Sequence, residues 1–167
     1  MNKKQLPLES WQIFQGTGVF DEEGMLLKPD TDGYIRMEMK GETAQMGGAS
    51  WTPDQYLVVD MLADMDTMTT VDISFFKDHP QAENEKNVLN YHMIPTRRVK
   101  MAVRLDELSS RRVYLPTLPG TLKGHSHGRP ASILQMNRVE ILVHPGYSHY
   151  FRSLRLYEIY LADELPD

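Results

Sequence analysis

Residues Thr69–Lys77 read TTVDISFFK, in which Val71, Ile73 and Phe75 alternate with Asp72, Ser74 and Phe76. A side chain returning to the same face at every second position marks an extended strand with one side in a core. The same period recurs on both sides of this stretch. In RRVKMAVRL (Arg97–Leu105) Val99, Met101 and Val103 alternate with Arg98, Lys100, Ala102 and Arg104. In NRVEILVH (Asn137–His144) Val139, Ile141 and Val143 alternate with Arg138, Glu140, Leu142 and His144. Further strands are predicted at Trp11–Gln15, Gly18–Phe20, Met25–Lys28, Tyr34–Met39, Tyr56–Ala63, Val88–Ile94, Val113–Leu115 and Leu154–Leu161. Asp-Gly, Gly-Gly and Pro-Gly turn chemistry separates them. Only Leu105–Leu108 reads as a helical turn. Short, evenly spaced strands broken by glycine and proline predict an all-β sandwich or barrel.

The chain has 167 residues, one domain's length, enough to bury roughly two-thirds of its unfolded surface without cross-links. There is no cysteine, which excludes thiol nucleophiles, zinc–thiolate centres and disulfides, and fits any compartment. The balance of 18 basic against 23 acidic residues argues against a nucleic-acid partner. No run approaches the ~20 apolar residues of a membrane span, so no membrane partner is expected. The start, MNKKQLPLESW, has a basic head but no apolar stretch behind it, and so is not a signal peptide. That leaves a cytoplasmic protein or, if a leader is missing, a secreted one. The end, ADELPD, reads either as the first residues of a linker over 163–167, leaving 1–162 as the folded unit, or as an acidic tail.

The order of these strands resembles a known family. An early strand bears a tryptophan (ESWQIF); GTGVFDEEGMLLKPDTDGYIRM follows as strand, acidic turn and strand. YLVVDMLA and MTTVDISFFK form a central pair, and MNRVEILVH and LRLYEIYLADELP close the chain. This layout is similar to the galactose-binding-like jelly rolls that serve as carbohydrate-binding modules, particularly those fused to agarase-like and other polysaccharide-degrading enzymes. The resemblance implies a two-sheet antiparallel β-sandwich without catalysis of its own, with a polysaccharide or oligosaccharide as ligand and a downstream catalytic domain as partner. It also implies a structural calcium between the turn after an early strand and an acid of the last strand. The matching positions are Asp21 and Glu23 in the Asp21-Glu22-Glu23 turn, and Glu158. Calcium takes about six to eight oxygen ligands, which such a turn and strand can supply.

The richest polar stretch is TLPGTLKGHSHGRPAS, Thr117–Ser132. His125 and His127, at alternate positions, would share a face and suit a metal. The pair is similar to the H-x-H of cupins, but no carboxylate follows until Glu140, so the third ligand is missing. Read as a recognition loop, an extended segment projects Lys123, His125, His127 and Arg129 to one side. Imidazole donates and accepts hydrogen bonds, and lysine and arginine donate, a set suited to hydroxyl-rich or anionic sugars. Trp51, between MGGAS and Thr52-Pro53, reads as a loop aromatic on which a pyranose could stack. Tyr147 and Tyr150, after Pro145-Gly146, are further loop aromatics. Tyr91 and His92 are adjacent on a strand, so only one can face a given groove. Arg98, Lys100 and Arg104, with Arg97 beside them, form a basic stripe that either lines an anionic groove or guards a sheet edge.

The expected function is therefore a non-catalytic carbohydrate-binding module of a polysaccharide-degrading enzyme. Two alternatives stay open. One is a small jelly-roll lyase or glycoside hydrolase working through His125 and His127; the other is a structural sandwich that packs on a neighbouring domain and binds no sugar.

Overall fold

A computed structural model describes residues 2–78, 85–146 and 150–167. The strands are β1 (Lys3–Gln5), β2 (Gln12–Gln15), β3 (Thr17–Asp21), β4 (Gly24–Lys28), β5 (Ile35–Glu42), β6 (Gln45–Met46) and β7 (Ala49–Ser50). There follow β8 (Tyr56–Met65), β9 (Thr69–Lys77), β10 (Glu85–Met93), β11 (Arg98–Arg104), β12 (Thr121–Gly128), β13 (Arg138–His144) and β14 (Phe151–Ala162). They form a six-stranded sheet, β11-β8-β14-β4-β3 with β1 beside β14, and an eight-stranded sheet, β12-β10-β9-β13-β5-β6-β7 with β2 beside β5. All described pairings are antiparallel. The chain passes from one sheet to the other after β4, β7, β8, β10, β11 and β13. This is the two-sheet antiparallel sandwich that the alternation and the resemblance both lead one to expect.

The period of two works as read. Val71, Ile73 and Phe75 of β9, Val99, Met101 and Val103 of β11, and Val139, Ile141 and Val143 of β13 are all buried in one core between the sheets. Methionines fill much of the rest, Met25, Met37, Met39, Met61 and Met93 among them, unbranched side chains that adapt to irregular gaps. Tyr91 ties the layers together: its buried hydroxyl donates to the Ala102 carbonyl of the opposite sheet at 3.0 Å. At the β3–β4 turn Gly24 has φ +134°, and a Cβ there would lie 2.2 Å from the Leu156 carbonyl oxygen, so only glycine lets this turn lie against β14.

Three expectations need correction. Val113–Leu115 is irregular chain, not a strand. Pro116 and Pro119 follow it without backbone donors, and Leu115 instead packs over Gly124, where a Cβ would meet it at 2.6 Å. The stretch expected as a loop, Thr121–Gly128, is a strand at the edge of the larger sheet. Trp51 is not on an exposed loop: it is 1% exposed, edge-on to Phe75 at 6.4 Å, and its Nε1 donates to the Met46 carbonyl at 2.9 Å. Leu105–Ser109 is the expected helical turn, of 3-10 type. Beyond β14 the chain stays near the body, since Asn2 N donates to Asp163 Oδ1 at 2.8 Å and Pro166 is buried.

Candidate functional site

The larger sheet has one face in the core and one facing outward, and the strand pattern decides what the outward face carries. On β9 the residues opposite the core positions are Thr70, Asp72, Ser74 and Phe76. Register places His92, Asn90 and Val88 of β10 beside Thr70, Asp72 and Ser74. On the far side of β10, Lys123, His125 and His127 of β12 stand beside His92, Asn90 and Val88. On the other flank His144, Leu142 and Glu140 of β13 pair with Thr70, Asp72 and Ser74, and Arg36 and Glu38 of β5 pair with Leu142 and Glu140. Four of the chain's six histidines, His92, His125, His127 and His144, thus come to one face of one sheet. The other two, His79 and His149, lie outside the described residues. From β12 to β13 the face spans three strand spacings, ~14 Å, about the length of a short oligosaccharide.

Asp72 is the hub of this face. Its Oδ2 accepts from His144 Nε2 at 2.7 Å, and its Oδ1 accepts from Asn90 Nδ2. Burial pushes the Asp72 carboxyl up, but the hydrogen bonds from His144 and Asn90 and the nearby His144 and His127 imidazoles outweigh it and hold it below the usual 3.8. His144 also meets the Tyr34 ring edge-on at 5.9 Å. The His92 and His125 rings stack at 5.9 Å with 30° between their planes, and Thr70 Oγ1 lies 3.4 Å from His92 Nδ1. His125 and His127 are exposed. Beyond this cluster the face becomes a charge network. Arg138 grips Asp78 through two nitrogens, at 2.7 and 3.1 Å, and Glu38 at 3.0 Å. Arg36 lies 3.3 Å from Glu140 and over the Phe14 ring at 5.1 Å.

The sequence-predicted residues divide sharply between this face and elsewhere. His125 and His127 are on it, and Lys123 occupies the matching register position. Arg129 follows the end of β12, where Gly128 turns with φ +112°, and its backbone N donates to the Lys86 carbonyl at 3.1 Å. Trp51 is in the core and has no face to offer a ligand. Tyr147 lies outside the described residues. His92 faces the cluster while its neighbour Tyr91 enters the core. The residues the sequence did not single out are Asp72, Asn90, His144 and Tyr34; the signal for the first three was their polar position in otherwise apolar strands.

Asp21, Glu23 and Glu158 border a separate hollow of ≈ 580 Å³ on the other sheet, which Glu9, Phe20 and Tyr157 also line. Arg155 Nη1 lies 2.8 Å from both oxygens of Asp21 and holds that carboxyl below its ordinary value, and Arg155 Nε is 3.6 Å from Glu23. Burial raises the Glu158 carboxyl, but Lys3 at 2.7 Å and Gln5 at 3.0 Å outweigh it and lower it. As arranged, the three carboxylates do not fit a calcium ion: side-chain cations neutralise them, and among the described residues no three acids or histidines are gathered closely enough to hold a metal. In the basic stripe, Arg98 binds the buried Asp60 through two nitrogens at 3.0 and 2.8 Å and covers the Tyr157 ring, and Arg104 pairs with Asp106 at 3.0 Å. Those charges serve the protein's own acids.

No protein-family model matches the chain, and no curated protein matches it. Solved structures do match. The structure of PfGH50B aligns over 93% of this chain with a TM-score of 0.63 at 12% identity. The crystal structure of an agarase, AgWH50C, aligns over 97% with a TM-score of 0.61 at 16% identity. This chain is similar in fold to part of an agarase. It spans 22% of the first of those chains and 25% of the second, so the likeness concerns one sandwich within much longer proteins. At such identities the likeness carries the fold alone. Among the described residues no helix is long and apolar enough to cross a membrane.

Proposed function

We propose that this chain is a carbohydrate-binding sandwich of a polysaccharide-degrading enzyme, holding a galactan chain of the agar type on the outward face of its eight-stranded sheet. The observation that carries the reading is the convergence of His92, His125, His127 and His144, with Asn90 and Asp72, on that one face. Imidazoles, an amide and a carboxylate together offer both donors and acceptors, which is what rows of sugar hydroxyls require. The fold likeness to part of an agarase supports the choice of polymer and of a catalytic partner. Tethering a catalytic domain to its substrate raises the local concentration that domain works at.

The test is retention of the purified chain on agarose and on a panel of immobilised glycans, with release of reducing ends assayed on each. Retention without release, weakened at least tenfold by Asn90→Ala combined with His125→Ala, is the expected result. Release of ends would favour catalysis instead. The specific contact for that second reading is Asp72 with His144, a carboxylate–imidazole pair able to act as general base. A chain that is retained on nothing would be a packing domain.

A further inference from the structure

The charges of the histidine-bearing face indicate which kind of sugar it takes, an inference that rests on the binding reading above. Its acids are already occupied. Arg138 holds Asp78 and Glu38, Arg36 and Arg138 flank Glu140, and His144 and Asn90 hold Asp72. The β10–β12 end of the face has a different character. Gly128 pairs with Asn87, the Arg129 backbone bonds to Lys86, and His127 stands beside Val88, so Lys86, His127 and Arg129 come together there. His125 is next along the strand, stacked on His92. All this sits on a chain of net charge −5, so a basic rim is a local feature against the general balance.

We propose that the ligand of this face is an acidic polysaccharide, one bearing sulfate or carboxylate groups, and that it is held more tightly as the imidazoles take up protons. The groups surrounding His125 and His127 are Lys86, Asn90 and His92 of β10, Asp72 of β9, His144, Glu140 and Arg138 of β13, and Arg36 and Glu38 of β5. The arginine–carboxylate pairs keep their charge across the physiological range, so the imidazoles are what changes there. Above that range they act as neutral hydrogen-bonding groups. Below it they add positive charge beside Lys86 and Arg129, where a sulfate or carboxylate on the sugar would lie.

The experiment compares affinity for neutral agarose, a sulfated galactan and a polyuronate at about pH 5.5 and about pH 7.5, on either side of the ordinary histidine range. Two exposed imidazolium contacts, each of exposed-pair strength, are expected to tighten binding of the acidic polymers ~3- to 10-fold at the lower pH, with agarose unchanged. A response to sulfated galactan alone or to polyuronate alone identifies the acid group, and a response to both identifies charge as what is read. The whole chain also becomes less negative on acidification, so the variant carrying His125→Gln and His127→Gln is the control. It keeps hydrogen-bonding groups in place and should lose most of the pH response. An undiminished response in that variant overturns the assignment. Agarose binding as tight as the acidic polymers at both pH values also overturns it, while leaving the sugar-binding reading intact. Retention on no polymer at either pH removes both.

Discussion

Trp51 tests whether burial, more than residue type, decides what an aromatic does in this protein. Its side chain is 1% exposed, packs edge-on against Phe75 and donates its indole N–H to the Met46 carbonyl. Trp51→Ala removes a large buried ring and leaves a cavity, which costs ~3–5 kcal/mol, with a further ~1 kcal/mol for the carbonyl left without its donor. For a chain of this size each kcal/mol moves the melting midpoint by ~2–4 °C, so the expected fall is roughly 6–24 °C. Trp51→Phe keeps an aromatic edge for Phe75 but loses the hydrogen bond and part of the volume, and should cost ~1–3 kcal/mol. The assay is urea and thermal unfolding followed by circular dichroism, with polysaccharide retention measured well below each variant's transition. Both variants, while folded, should bind as the unaltered chain does. A Trp51→Phe chain that unfolds at the unaltered midpoint yet no longer binds would show that the indole touches ligand, and the burial argument would be wrong.

Other consequences concern the turn, the cross-sheet tie and the acidic hollow. Gly24→Ala places a Cβ 2.2 Å from the Leu156 carbonyl oxygen at φ +134°, and should cost ~1–3 kcal/mol in a urea titration; an unchanged midpoint would mean the β3–β4 turn is not held against β14. Burial pushes the Tyr91 phenol well up, so the folded chain keeps that proton while unfolded chains lose theirs above about pH 10. Stability should therefore fall as pH rises past that point, and Tyr91→Phe, ~1 kcal/mol less stable at neutral pH for the lost bond to Ala102, should fall less steeply. Equal slopes in the two proteins would refute the buried-phenol account. Calcium would have to displace Arg155 from Asp21 and Lys3 from Glu158. Added calcium should thus leave the melting midpoint where it is, and a rise abolished by Glu158→Gln would show that the displacement occurs.

The sandwich was legible because its evidence is local. Alternation within TTVDISFFK names the buried and the outward residues without reference to any other strand, and β9 follows it. Trp51 was misread for the opposite reason. Glycines before it and a proline after it are loop chemistry, and it does follow the short β6–β7 hairpin. What turns the ring inward is a carbonyl five residues back and a phenylalanine on another strand, neither of which composition records. The stretch around His125 was read as a loop because glycine at 120, 124 and 128 suggests turns. Gly120 and Gly128 do adopt positive φ at the ends of β12, but Gly124 is inside it, admitting Leu115 where a side chain would block it.

The same distinction explains why half of the candidate site was invisible. His125 and His127 are close in the chain and could be seen as a pair. Asp72 and His144 stand 72 positions apart, and their meeting depends on β9 and β13 lying side by side in one register. A shift of one residue in that register would turn His144 into the core and leave Asp72 without its partner. The apolar alternation of β13 forbids the shift, because Val139, Ile141 and Val143 would then face solvent. The residues that assemble the polar face are therefore fixed by the apolar ones behind them. A chemistry spread over four strands becomes readable only once the core has aligned those strands.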